Sequence, residues 1–299
     1  MKSFEYATPR TVDEAVEQLA DKWGETEVLA GGTDLVTCLK QGLTAPTRVV
    51  SLKAVKGLKG ISSAKGALTI GAMTTMSELA DHADVQKHFP ALATAAKNIA
   101  SPQLLSTGTV GGDLCQRPRC WYYRNGYGLL AQKDGKSLVT GGDNRYHAIF
   151  GNSGKAKFVS ASSLGPALIA LGATIKTSAR EIAADKFFQT PKTENERETV
   201  LKPNEIITAI IVPVNGAKNA TYEIRHRQGL DWPYVTASVA KTNGGSKIVL
   251  GHVAPTPVVV TGNDPAAGAK PLSGNAYKVK MVKTAVKRAL AAASNGAKN

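Results

Sequence analysis

Apolar residues recur at helical spacing near the start of the chain. Those of residues 11–23 fall on one helical face, and Thr11 with Glu14 forms a capping-box pattern directly before it. The same periodicity predicts further helices over residues 35–40, 76–83, 91–99 and 164–171. Runs of β-branched or alternating residues predict strands over 27–30, 49–52, 67–72, 158–160, 173–176 and 206–212.

The pattern changes after residue 215. Residues 215–219 are small and polar, which predicts a linker between a first unit, 1–215, and a second unit, 219–299. In the second unit, segments 221–225, 235–241 and 247–253 indicate a three-stranded antiparallel meander with a hairpin turn at 242–245. Residues 277–293 are rich in Lys and Ala and predict a basic helical tail.

One segment has no regular pattern. Residues 115–147 carry aromatic and Arg residues early, and Gly and Lys later. An irregular loop of about 30 residues is uncommon inside a domain and is usually functional or disordered.

Composition limits the class of protein. With 299 residues, 42% hydrophobic and 20% charged, the chain is long enough for two domains with real cores, which excludes wholesale disorder. No stretch has the length and apolarity of a membrane span, and the N-terminus lacks the apolar region of a signal peptide, so we expect a cytoplasmic protein. Three cysteines exclude a disulfide framework, and no zinc-finger spacing is present.

The net charge is +14, from 37 Lys and Arg against 23 Asp and Glu. From Trp232 onward, Asp264 is the one acidic residue. Aromatic residues are not interleaved with these charges, as a single-strand nucleic-acid platform requires, and no helix-turn-helix or RNA-recognition pattern is present. We therefore expect no nucleic-acid partner, and interpret the basic surface as a solvated face or as one that docks an acidic partner.

Two glycine turns carry the most chemical information: residues 30–34, AGGTD, and residues 109–113, TVGGD. Glycine pairs allow the backbone to approach an anion closely and to point successive N–H groups at it, and a helix starting just after the first turn adds its positive end. Two such turns facing one another form a site for a pyrophosphate; the alternative is that both are simply tight turns. Neither a G-x-G-x-x-G fingerprint nor a P-loop is present, so a dinucleotide would require a non-Rossmann flavin fold.

Several motifs together resemble the FAD-binding, or medium, subunit of the xanthine dehydrogenase and carbon monoxide dehydrogenase family of molybdenum hydroxylases. Their order and spacing cover roughly residues 1–257. The matching segments are FEY at 4–6, LAGGTDL at 29–35, IGAMTT at 70–75, IASPQ at 99–103, GTVGGDL at 108–114, LKPNEII at 201–207 and LGHVAPTP at 250–257.

The resemblance implies an α+β fold, with a two-subdomain FAD-binding domain (PCMH/VAO-like) followed by a small α+β domain with a three-stranded antiparallel sheet. It implies FAD as cofactor and no catalytic side chain. The residues that it assigns to FAD binding are Leu29, Ala30, Gly31, Gly32, Thr33, Asp34, Leu35, Ile99, Gly108, Thr109, Gly111, Gly112, Asp113 and Leu164.

The resemblance also implies a role in a complex. Electrons would pass from molybdopterin on a large subunit, through [2Fe–2S] clusters on a small subunit, to FAD on this chain and then to an external acceptor. The alternatives are a structural subunit that has lost cofactor function and a free-standing flavin oxidase. Related complexes are exported in folded form with a signal-bearing partner, so a periplasmic location is the alternative to a cytoplasmic one.

Residues 115–147 resemble the insertion of the 4-hydroxybenzoyl-CoA reductase and periplasmic aldehyde oxidoreductase branch, which carries a [4Fe–4S] cluster on four cysteines. Here only Cys115 and Cys120 are present, and Cys38 is distant in sequence, so we expect no cluster and no metal. A three-ligand site completed by His147 is the alternative to two free thiols and a loop histidine.

Two further features remain open in the sequence. Asp113 stands where the family usually has Asn, and its charge opposes a pyrophosphate unless its carboxylate is turned to backbone N–H groups. The aromatic residues 121–123 and the neighbouring arginines have two possible roles. They stack on a base or on the flavin, or they anchor the insertion to the body of the protein or to a partner subunit. We favour the anchoring role. Trp232 belongs either to the flavin cleft or to a core.

Overall fold

The computed structural model describes residues 1–99, 101–227 and 231–295. Ala100 of the IASPQ motif and the last residues of the second unit, 296–299, lie outside this range. Within it, no helix is long and apolar enough to cross a membrane.

The N-terminal sheet is parallel. Strands β1 (Glu5–Ala7), β2 (Thr26–Leu29) and β3 (Arg48–Ser51) lie in the order β1-β3-β2, and both pairs are parallel. Helix α1 (Val12–Glu17) begins at the Thr11 cap and packs the buried Ala15 into a core with Val50 and Leu52. Helix α2 (Leu35–Lys40) has the bounds that the apolar pattern predicts.

A five-stranded antiparallel sheet forms the second layer. It contains β4 (Ile61–Ala64), β5 (Ala67–Gly71), β8 (Thr174–Thr177), β9 (Glu181–Ala183) and β10 (Ile207–Pro213), in the order β4-β5-β10-β8-β9. Ile210 pairs with both Ile70 and Ile175, so the apolar residues of three strands share one core. The helices of this layer are α3 (Met76–Asp81), α4 (Ala83–His88), α5 (Pro90–Lys97), α6 (Pro102–Thr107), α7 (Val110–Cys115) and α10 (Gly165–Ala170).

The last layer is a second antiparallel sheet covered by one long helix. Strands β11 (Lys218–Ile224), β12 (Val235–Thr242), β13 (Gly245–Gly251) and β14 (Val258–Val259) lie in chain order, and helix α11 (Tyr277–Asn295) packs against them. The predicted α+β class and small antiparallel sheet are confirmed, and the short β14 adds a fourth strand. The predicted linker 215–219 overlaps the start of β11, because Lys218 and Asn219 already pair with Lys241 and Ala240 of β12.

The insertion contains short elements. They are α8 (Trp121–Arg124), the hairpin of β6 (Gln132–Lys133) and β7 (Lys136–Ser137), and α9 (Leu138–Gly141). The strand predicted at 158–160 is wrong. Phe158 is buried against Tyr123 and Leu129, and Ser160 N donates to Ala254 O, so burial rather than a strand ladder accounts for its apolar pattern.

Candidate functional site

A cleft of about 620 Å³ lies where the two N-terminal sheets, the insertion and the C-terminal layer meet. Two of the fourteen residues expected to bind FAD are not in its wall. Leu29 is the last residue of strand β2. The Leu164 side chain is fully buried in the core, whereas its neighbour Ser163 lines the cleft. The other twelve line it: Ala30, Gly31, Gly32, Thr33, Asp34, Leu35, Ile99, Gly108, Thr109, Gly111, Gly112 and Asp113.

The two glycine turns pack against each other. A Cβ on Gly31 would lie 1.9 Å from the Thr107 carbonyl oxygen, and one on Gly108 would lie 3.7 Å from Thr33 Oγ1. Gly31 therefore has to be glycine because the backbone of the second turn occupies the space of a side chain.

The first turn has unused backbone donors. Within the described part of the chain, the N–H groups of Gly32, Thr33 and Asp34 donate to no acceptor. Gly32 adopts a φ of +76°, a left-handed conformation that suits glycine and turns the chain into α2. Successive free N–H groups in a concave turn bind an anion such as a phosphate.

Most donors of the second turn are already used. Val110 N donates to Thr74 O, Gly111 N to Ala72 O at 2.8 Å, and Gly112 N to the Thr109 hydroxyl that caps α7. A Cβ on Gly111 would lie 3.0 Å from that of Ala72, so this glycine serves close packing. The sequence treats the two turns alike, whereas the structure gives anion-binding donors to the first.

Asp113 is buried and turned away from the cleft's phosphate-type donors. Its carboxylate accepts hydrogen bonds from Ser162 Oγ at 2.6 Å, Ser163 N at 3.1 Å and Leu164 N at 3.0 Å. Burial raises the pKa of Asp113, while these three bonds act in the opposite direction. This is the arrangement in which an Asp at this position is compatible with a bound pyrophosphate.

Asp34 is held by the insertion. Its carboxylate accepts Arg117 N at 2.7 Å, Arg119 Nη1 at 2.6 Å and Arg124 Nη2 at 2.9 Å. Burial alone raises the pKa of Asp34, but the charges of Arg119 and Arg124 outweigh it and hold the pKa below its usual value. An ionised Asp34 thus fixes the residue at which the first turn enters α2.

Other charges along the cleft are paired across long sequence distances. Arg117 lies 3.3 Å from Glu198, and Arg197 lies 3.4 Å from Glu27 while its guanidinium stacks over Trp23 at 4.9 Å. Burial raises the pKa of Glu198, against the opposing charge of Arg117.

The aromatic start of the insertion is anchored to the body. The Tyr123 ring is buried, with the Arg117 and Arg124 guanidiniums over it at 5.3 and 5.6 Å. Trp232 lines the cleft and is 43% exposed, with Arg119 over its ring at 4.7 Å, so it belongs to the cleft and not to a core.

The cysteines lie in different surroundings. Cys115 lines the cleft, Cys120 Sγ is 3.2 Å from His147 Nε2, and the buried Cys38 accepts from Arg124. Among residues 1–99, 101–227 and 231–295, no group of three or more His, Cys, Asp or Glu side chains is placed to hold a metal. A three-ligand site of Cys115, Cys120 and His147 is therefore not assembled.

The sequence missed part of the cleft. Leu201, Ile206 and Ile207 belong to the LKPNEII motif, and that signal was available although the site prediction did not use it. Trp23, Glu27, Arg197 and Glu198 lie in no motif, so no sequence signal marks them.

Comparisons with known proteins identify the family of this chain. A family model described as the FAD binding domain in molybdopterin dehydrogenase matches residues 2–215. The aldehyde oxidoreductase FAD-binding subunit PaoB of Escherichia coli K12 is 28% identical, over 98% of this chain and 99% of that protein. The carbon monoxide dehydrogenase medium chain of Hydrogenophaga pseudoflava is 27% identical, over 96% and 86%.

A solved structure shows the same fold. Carbon monoxide dehydrogenase from Hydrogenophaga pseudoflava, in a form lacking the Mo-pyranopterin moiety of the molybdenum cofactor, has a chain that matches with a TM-score of 0.74. The sequence identity is 26%, and the match covers 98% of both chains.

Proposed function

Because this chain belongs to the family of FAD-binding domains in molybdopterin dehydrogenases, we propose that it receives electrons from [2Fe–2S] clusters on a partner chain and passes them through FAD to an external acceptor. The family, the cofactor FAD and the class of FAD-dependent oxidoreductase subunit, all expected from the motifs, are confirmed. The electron path, the partners and the acceptor are the proposal.

The observation that carries the proposal is the row of free N–H groups at Gly32, Thr33 and Asp34, in a cleft lined by most of the expected residues. Successive donors of this kind fit a pyrophosphate. We propose that the fourteen assigned residues form the binding region, with Leu29 and Leu164 supporting it from behind the wall.

The residues of this chain bind and orient FAD, and none of them has to transfer a proton. Gly32, Thr33 and Asp34 would hold the pyrophosphate with their N–H groups, and Asp34 is fixed in place by Arg119 and Arg124. FAD, when bound, supplies the capacity to accept two electrons and release them to an acceptor. The apolar wall excludes water from the cleft and includes Ile99, Leu201, Ile206 and Ile207.

The proposed assembly has a large molybdopterin-binding subunit and a small [2Fe–2S] subunit beside this chain. The relatives include a medium chain of carbon monoxide dehydrogenase, a name that implies companion chains. We propose the division into units 1–215 and 219–299, and a cytoplasmic location, with folded co-export to the periplasm as the alternative.

The first test is an absorption spectrum of the purified native complex, with FAD and iron quantified per copy of this chain. We expect one FAD per chain, and iron that the partner's [2Fe–2S] clusters account for entirely. A fully active complex without FAD would instead favour the structural-subunit alternative. Iron in excess of the partner's clusters would place a cluster in the 115–147 insertion, and a self-sufficient monomer would favour a flavin oxidase.

A variant pair links the spectrum to the site. Gly31→Ala places a methyl group against Thr107 O and should give a complex without FAD, whereas a Cβ on Gly154 meets nothing within 4 Å, so Gly154→Ala should retain it. Equal FAD content in both variants would contradict the assignment of the first turn.

A further inference from the structure

Aromatic residues concentrate on one surface of the molecule, away from the FAD cleft. Six of the chain's eleven Trp and Tyr residues meet there, contributed by the insertion, the residue just before β12 and the start of α11. We call this surface the aromatic patch. Its members are Trp121, Tyr122, Tyr127, Tyr146, Tyr234 and Tyr277.

The patch is continuous. Trp121 meets Tyr146 edge to face at a centroid distance of 5.3 Å, Tyr146 stacks on Tyr234 at 5.4 Å, and Tyr234 meets Tyr277 at 5.8 Å. Tyr127 is connected to the patch by its backbone N–H, which donates to the Tyr122 carbonyl oxygen. Exposure is nevertheless high: Tyr127 is 49% exposed, Tyr146 42% and Tyr277 38%.

The polar ends of several of these rings are tied to the insertion's own backbone. Trp121 Nε1 and Tyr122 Oη both donate to Asp143 O, and Tyr277 Oη donates to Arg145 O at 2.6 Å. These bonds hold the rings in fixed orientations. Rigid aromatic side chains lose little conformational entropy when a partner covers them, which is why Trp and Tyr dominate binding hot spots.

Two opposite charges pair at the surface of the patch, although the chain carries a net charge of +14. Asp143 and Arg145 form a two-point ion pair with each other, at 3.0 Å for Nε and 2.7 Å for Nη2. The Arg145 guanidinium also lies 6.0 Å over the Tyr146 ring, so the patch already holds one guanidinium by a carboxylate and a ring together.

A second, open pocket also combines aromatic rings with Asp143. It is lined by Trp121, Tyr122, Asn125, Tyr127 and Asp143, whose carboxylate is shared with Arg145. Aromatic faces attract cations, and a planar guanidinium stacks on them better than an ammonium. The aliphatic stem of an Arg side chain also covers ring surface.

We propose that the pocket of Trp121, Tyr122 and Tyr127 receives an arginine side chain of a partner protein. The aromatic patch around it is then the interface that this side chain anchors, with the Asp143–Arg145 pair at its rim. This inference is independent of FAD binding, because none of these residues lines the cleft.

The test uses the full chain labelled with 5-fluorotryptophan, which gives one ¹⁹F resonance for each of the three tryptophans. Trp121→Phe assigns the relevant signal, and the Trp23 and Trp232 signals report that the fold is intact. The probe is N-acetylarginine amide, compared with N-acetylnorleucine amide, which has a similar stem without charge. We expect a saturable shift of the Trp121 signal with the arginine probe and about tenfold weaker binding of norleucine.

Three variants sharpen the result. Tyr127→Ser should weaken arginine binding about fivefold, since it removes an exposed wall, whereas Tyr6→Ser, 54% exposed and outside the patch, should leave it unchanged. Arg145→Gln frees the Asp143 carboxylate and should tighten the binding of the arginine probe. Equal binding of norleucine would show an apolar pocket and overturn the proposal, as would the absence of a saturable shift or an equal effect of Tyr6→Ser.

Discussion

Arg119 donates a 2.6 Å hydrogen bond to Asp34, and so joins the insertion to the turn that carries the free N–H groups. The same guanidinium lies 4.7 Å over Trp232 of the C-terminal layer. One side chain therefore touches three parts of the chain that meet at the cleft. The insertion, which has two of the four cysteines of a cluster, acts here as a strap that holds this turn in place.

Asp34→Asn tests this strap. The change removes the charge that Arg119 and Arg124 share, and leaving buried charges unpaired costs about 3 kcal/mol. We expect a loss of that order in the free energy of unfolding, measured by urea titration, and weaker FAD binding, measured by flavin fluorescence. The control is Asp264→Asn, which breaks the exposed pair with Lys283 and should leave stability nearly unchanged. An Asp34 variant as stable as the control would show that the strap does not stabilise the fold.

Cys115 lines the cleft, which makes it a reporter of FAD occupancy. Burial, with added repulsion from Glu198 and Asp113, raises its pKa to about 12, so its reaction with N-ethylmaleimide is slow even where solvent reaches it. We expect FAD to slow this labelling further, by at least about fivefold, because a bound ligand covers the thiol. Mass spectrometry of the tryptic peptide measures the rate, and Cys120, which does not line the cleft, serves as the internal reference. Labelling of Cys115 that is indifferent to FAD would place the cofactor elsewhere.

Leu104, in helix α6 and 37% exposed, lines the same cleft. Leu104→Asp introduces a charge into the apolar wall without disturbing a core, so its effect on folding should stay below about 1 kcal/mol. Unfavourable burial of that charge under a bound cofactor should weaken FAD binding about tenfold. The comparison is Val259→Asp, at a residue that is 40% exposed and outside the cleft wall, which should bind FAD normally. Equal affinity of both variants for FAD would remove Leu104 from the site.

The pattern of apolar residues and glycines predicted the elements whose formation depends on residues close in sequence. Residues 35–40 form a helix with the predicted bounds because their apolar spacing and the preceding turn agree, and the hairpin at 242–245 follows from its glycines. The predicted strand at 158–160 failed because a single buried Phe158 gives an apolar run without a neighbouring strand to pair with.

Long-range pairing limited the site prediction. Arg197 and Glu27 are 170 positions apart, and no local pattern joins them. The glycines of the second turn looked like those of the first, since sequence cannot show that Gly111 N is already bonded to Ala72 O. Which donors remain free is a property of the packed molecule.

Two buried histidines set the response to acid. Burial, followed by the positive charge of Lys278, lowers the pKa of His147 to about 4 and that of His252 to about 3. Asp143 opposes this shift at His147, and Arg225 adds to it at His252. In the unfolded chain both titrate near pH 6.5, so below that pH the unfolded state binds more protons than the folded one, and stability falls as the pH falls towards 4.

His252→Asn should flatten this acid limb. Asn tolerates the left-handed φ of +61° at this position and retains a side-chain group for the Thr236 hydroxyl, which His252 contacts at 3.0 Å. Between pH 7 and pH 4, the free energy of unfolding should fall less in the variant than in the parent chain, and the difference should be on the order of 2 kcal/mol. Urea titration at each pH measures both values. The exposed His226→Asn is the matched control and should keep the parent's slope. If the His252 variant also kept that slope, the acid sensitivity would have to come from groups other than this buried imidazole.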